Sequence, residues 1–152
     1  VAAMHEAGLD VDASAFIHAP DTIEGGYTAA RTLLARHRAL TAIFTTNDLP
    51  ALGAMHAAAD AGLDVPRDLS VTGITDIHLA RESRPALTTV AVPTAEAAQL
   101  AVTLLRNLVA KGPRAPDSAP EVCQTSAPKL VVRASTAPVP AKRRSIKRDP
   151  HI

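Results

Sequence analysis

The sequence predicts an α/β fold: a Rossmann-like, mostly parallel sheet with helices on its faces. Three observations carry this. Short apolar runs alternate with helical patterns along the whole chain, and strands separated by helices must cross over and pair in parallel. The 152 residues fit one domain. The apolar content, 47% of the residues, contains only two Phe, one Tyr and no Trp. A core of Ala, Leu, Val and Ile suits close helix-on-sheet layers rather than an aromatic-rich sandwich.

The elements follow in order. Residues 1–7 read as the end of a helix stopped at Gly8, a C-cap signal. Phe16-Ile17 within Ala15–His18 predicts a short strand. Asp21 or Thr22 caps a helix from about Glu24 to His37, because Tyr27, Ala30, Leu33 and Leu34 share one face. Ala42–Thr45 is an apolar strand. Asn47 and Asp48 then open a helix running to Ala61 and ending at Gly62. Val65–Asp68 is a turn, Leu69–Gly73 a strand and Asp76–Glu82 a short helix. Ala86–Val92, with β-branched Thr88, Thr89 and Val90, is extended. Pro93 or Thr94 starts a long helix to Lys111, with Ala97, Ala101, Leu104, Leu105 and Leu108 on one face and Gly112 closing it. Residues 112–128, rich in Pro, Ala and Ser, read as a surface connection. Leu130-Val131-Val132 is the last strand.

Composition excludes several functions. Cys123 is the single cysteine, so an internal disulfide or a thiolate zinc site is excluded. No run of 18 apolar residues marks a membrane span. Aromatics for stacking single-stranded nucleic acid are lacking. Residues 141–152 carry a net charge of +4 and the other 140 residues a net of −3. The body would not attract DNA, and residues 139–152 are expected to be a basic, disordered tail. The N-terminal Val1 is neither a signal peptide nor a normal start, which points to a fragment.

Catalytic patterns are missing too. There is no Gly-rich phosphate loop, nucleophile elbow or paired His at metal spacing. Asp76 with His78 is a spacing that occurs readily by chance. No metal, cofactor or enzymatic activity is therefore expected. In doubly wound sheets ligands bind beyond the carboxyl ends of the strands, which here means His18–Thr22, Thr45–Asp48, Gly73–Ile77 and Val92–Thr94. Thr45-Thr46-Asn47-Asp48 brings polar side chains and free helix N–H groups to one strand end, a place suited to a hydroxyl-rich or weakly anionic small molecule. A plain N-cap explains the same residues.

The motifs TAIFTTNDLPALGAM (41–55), GLDVPRDLSVTG (62–73), PALTTV (85–90) and LVVRAST (130–136) stand in an order and spacing that resembles the effector domain of lactose-repressor/galactose-repressor (LacI/GalR) transcriptional regulators. The resemblance covers residues 1–138. It implies a periplasmic-binding-protein-like fold with its effector held between two subdomains. The chain would be most of the C-terminal one, and helix 94–111 would pack on an absent N-terminal one. It also implies a homodimer, a cytoplasmic location, no membrane, and contact with operator DNA only through a helix-turn-helix head outside this chain. A solute-binding protein of a sugar ABC transporter is the alternative on a similar fold.

Transferred position by position, the resemblance places Asn47 where the family's pocket Asn or Asp holds an effector hydroxyl. Thr75 stands where a ligand-binding Asp is usual, and Asp76 matches a common second Asp. Asp21 replaces an aromatic that often stacks on the ligand, and Val92 replaces a common Gln. Asp48 is expected to cap its helix. Without the stacking aromatic, the effector is expected to be more polar than a simple hexose, and cationic given Asp21. Leu52, Ser83 and Arg84 are expected near the dimer interface, with core packing the other reading for Leu52.

Overall fold

The computed structural model describes residues 2–8, 12–111 and 123–139. Gly112 and the basic tail beyond 139 lie outside these residues, as does most of the 112–128 connection. The elements are helix α1 (Ala2–Glu6), α2 (Ile23–Arg36), strand β1 (Ala42–Phe44), α3 (Asp48–Asp60), β2 (Ser70–Thr75), α4 (His78–Glu82), β3 (Thr88–Ala91), α5 (Thr94–Lys111) and β4 (Lys129–Val131). They form one four-stranded sheet in the order β1-β2-β3-β4. β1, β2 and β3 are parallel, with Ile43 beside Val71 and Gly73 beside Thr89; β4 runs antiparallel to β3.

Local chemistry sets the helix ends. Thr22 caps α2 by accepting from the Gly25 N–H at 3.0 Å. α3 ends in a Schellman turn: the Gly62 N–H bonds the Ala59 carbonyl and the Leu63 N–H the Ala58 carbonyl. Gly62 sits at φ +72°, where a residue without Cβ is unstrained. Leu63 then tucks into the core.

The core lies where α3 packs against β2 on one side and α2 on the other. Leu69, Val71 and Leu87 are fully buried, joined by Ile43, Ala51, Ala54, Met55 and Ala58. α3 is apolar nearly all round, as a helix enclosed on two sides must be. Small residues let α2 and α3 approach closely. A Cβ at Gly53 would collide with the Ile23 carbonyl oxygen, and one at Gly26 with the Pro50 backbone.

One expectation needs correction, and the burial of Leu52 bears on a second. Ala15–His18 is not a strand. Ala13–Ala15 is a 3-10 turn, with Asp12 accepting from the Ser14 N–H, and Phe16, Ile17 and His18 belong to no sheet. β1 is paired only with β2, so no neighbouring ladder takes up the Phe16-Ile17 backbone, and Phe16 stays exposed. Leu52 is a core side chain, only 7% exposed, because α3 is covered by α2 as well as by the sheet. This burial agrees with the core-packing reading of Leu52.

After β4 the chain runs back across the amino ends of β2 and β3. Fully buried Ser135 joins them: its hydroxyl donates to the Val71 carbonyl at 2.6 Å and accepts from the Thr88 N–H at 2.8 Å. Among the described residues, exposed apolar side chains gather on the sheet and on α5. On the sheet, Phe44 and Leu130 are exposed; on α5, Val102, Leu105, Leu108 and Val109 are.

Candidate functional site

Three of the four predicted strand ends meet at one side chain, Asn47. It caps α3, its Oδ1 accepting from the Asp48 N–H at 2.7 Å. The same Oδ1 lies 3.2 Å from the Thr75 hydroxyl at the end of β2. Its Nδ2 donates to Asp21 Oδ2, just before α2, at 2.6 Å. Asp21, Asn47 and Thr75 thus form one chain of polar contacts across residues distant in sequence. Thr45 fixes the corner beneath them, its hydroxyl reaching the Asn47 and Thr72 carbonyls at 2.6 and 3.1 Å.

Asp48 does not cap its helix, contrary to expectation. Its fully buried carboxylate turns away from the free N–H groups and into the sheet. Oδ1 accepts from the Thr89 hydroxyl at 2.5 Å. Oδ2 accepts from the Ile77 N–H at 2.9 Å and lies 3.3 Å from the Thr75 hydroxyl. A buried carboxylate is tolerated only when donors replace its lost water; the Thr89 hydroxyl and the Ile77 N–H do so, and the single Thr75 proton is shared between Asp48 and Asn47. A Cβ at Gly73 would strike Asp48 Oδ1, so glycine there makes room for the carboxylate. One aspartate therefore ties α3 to the ends of β2 and β3.

The backbone at the end of β2 is strained. Thr75 has φ +116° and Asp76 φ +56°. Asp tolerates the left-handed region, but a β-branched residue at positive φ is an outlier of the kind that clusters at ligand sites. Asp76 does not join the Asn47 network. Its Oδ1 pairs with Arg133 Nη2 at 2.5 Å, and Arg81 lies 3.6 Å from Oδ2. Val92 also stands apart, half-buried, its carbonyl accepting from the Thr94 N–H. Arg133 carried no functional signal of its own in the sequence; its only mark was membership of the 130–136 motif.

Ser83 is half-buried, with its hydroxyl donating to the Ala80 and Pro85 carbonyls. Arg84 is exposed. Among the described residues, no group of three His, Cys, Asp or Glu side chains could hold a metal ion, and no helix is long and apolar enough to cross a membrane.

With this geometry in view, the decisive comparison is the match of residues 1–136 to the periplasmic binding protein-like domain. The chain belongs to that family. Within it, the chain is 41% identical over 126 residues to the HTH-type transcriptional regulator MalR of Streptomyces coelicolor, covering 83% of this chain and 35% of that protein. A LacI-family transcriptional regulator from Mycobacterium smegmatis superposes with a TM-score of 0.77 and 32% identity, over 89% of this chain and 49% of that one. A LacI-family regulator from Arthrobacter sp. FB24, solved in complex with lactose, gives 0.73 and 31%, over 90% and 49%. The chain thus spans about a third of the MalR sequence and about half of the two solved chains. These relatives are transcriptional regulators, which does not favour the transporter alternative.

Proposed function

We propose that this chain is the effector-sensing part of a LacI-type transcriptional regulator and is not an enzyme. The observation that carries this is the convergence of Asp21, Asn47 and strained Thr75 at the carboxyl ends of the sheet, the place where ligands enter doubly wound folds. A polar small molecule would exchange hydrogen bonds with the Asn47 amide, the Thr75 hydroxyl and the Asp21 carboxylate. Asp21 favours a ligand rich in donors, or one bearing an amine.

The exposed apolar face of α5 supports a second subdomain packed against it, with the effector held in the cleft between the two. A ligand that binds one relative orientation more tightly shifts the population towards it, and so changes the spacing of paired DNA-binding heads. Exposed Arg84, beside Ser83, is the part of the expected dimer surface still open to a partner. Operator recognition belongs to a head outside these residues, and a soluble cytoplasmic regulator is the fitting setting.

The test is thermal shift of the complete regulator with lactose, cellobiose, glucosamine and the β-1,4 glucosamine dimer. A ligand at 100 times its Kd adds about 2.7 kcal/mol of stability. Asn47→Ala should remove that shift while leaving the unliganded melting temperature within a few degrees. A shift that survives Asn47→Ala and Thr75→Val together would place the ligand elsewhere.

A further inference from the structure

The effector reading leaves unexplained why a threonine should sit at φ +116°. Side chains that touch the Thr75–Ile77 stretch come from both sides. From α3, Asp48 accepts the Ile77 N–H. From the segment after β4, Arg133 reaches Asp76 with a two-headed grip: Nη2 on Asp76 Oδ1 at 2.5 Å, and Nη1 on the Leu87 carbonyl at 2.8 Å. The Arg133 N–H is held by the Thr88 hydroxyl at 2.9 Å, which fixes the guanidinium's base on β3. Both partners of the ion pair are 14% exposed, so water screens the pair little.

We propose that Arg133 is a positioning residue for the candidate effector site. By anchoring Asp76 in its left-handed conformation, it holds the preceding Thr75 in a backbone geometry it would otherwise leave, with its hydroxyl aimed at Asn47. A guanidinium suits this role because its rigid fork bonds a carboxylate and a carbonyl together; a lysine ammonium is a single mobile point. Arg81, 3.6 Å from Asp76 and 62% exposed, adds little. The significance of Thr75 here rests on the effector reading above.

The test is run on the complete regulator without ligand, so the brace and the effector reading can fail separately. Arg133→Met should lower the urea midpoint by about 1 M, given the cost of breaking a poorly solvated pair. Arg133→Lys, a milder change should the first variant not fold, should fall between it and the parent. In a Thr75→Gly background the same Arg133 change should cost less than about half as much, because glycine accepts positive φ without a brace. Arg81→Met should leave the midpoint in place. A crystal structure of Arg133→Met or Arg133→Lys should show Thr75 relaxed to negative φ, with its hydroxyl beyond bonding distance of Asn47. Equal midpoint losses in the parent and Thr75→Gly backgrounds, or Thr75 still near φ +116° in the Arg133 variant, would overturn the proposal.

Discussion

Asp48 is the residue on which the site's geometry turns. Its carboxylate is fully buried and is met by two hydroxyls and one N–H. Asp48→Ala would leave the Thr89 hydroxyl and the Ile77 N–H without their acceptor, costing about 2–4 kcal/mol. Urea denaturation of the complete regulator measures this, and a loss below about 1 kcal/mol would contradict the assignment. Asn47 could be read from sequence because an N-cap is a local signal: an Asn just before an apolar run that ends at a Gly. The role of Asp48 could not. Asp at the first helical position reads as a cap in any helix, and only the packing of β2 and β3 against α3 gives its carboxylate better donors. The pairing of Asp76 is hidden for the same reason, since Arg133 lies 57 positions away.

At the scale of elements, α2 and α3 meet through backbone rather than side chains. Gly53→Ala would push a methyl into the Ile23 carbonyl, a backbone group with no rotamer to change. The helices must separate, at a cost of roughly 1–3 kcal/mol. An unchanged melting temperature for Gly53→Ala would show that the contact is looser than described. The start of α5 is tied to the segment leading into β4 by Glu96, which accepts from the Ser126 N–H at 3.1 Å and from its hydroxyl. These bonds hold the Glu96 carboxyl below its usual range. A lowered folded-state pKa means that the tie is complete above the ordinary glutamate value, about 4.3, and is lost as pH falls through the lower folded value. The Ser126 amide resonance should titrate in that acidic window, and Glu96→Gln should abolish the titration. Element identity was legible where periodicity marked one face, as in α2 and α5, and where start and stop residues bracketed an apolar run, as in α3. It failed at Ala15–His18, where two apolar residues resemble a strand but no neighbour pairs with them; a strand is a property of a pair, which one segment cannot declare.

At the scale of the molecule, the parallel sheet and the polar residues at its carboxyl edge follow from alternation and strand–helix order, both visible in the sequence. The antiparallel return of β4 and the Ser135 joint do not, because they depend on where α5 leads the chain. The uncovered residues Val102, Leu105, Leu108 and Val109 define an apolar face that water penalises. Residues 1–152 expressed alone should therefore bind a hydrophobic dye or self-associate in sedimentation, and Leu105→Lys with Val109→Lys should reduce this. A monomeric, dye-silent chain would contradict a packing role for α5. The central claim is that Asp21, Asn47 and Thr75 hold an effector whose binding changes operator affinity. Its most direct test is titration calorimetry of the complete regulator with whichever probe shifts its melting temperature, in the parent and in Asn47→Ala, alongside operator binding. The account predicts at least a tenfold loss of ligand affinity in Asn47→Ala, with the operator response to ligand lost in parallel. Unchanged ligand affinity in that variant would contradict it.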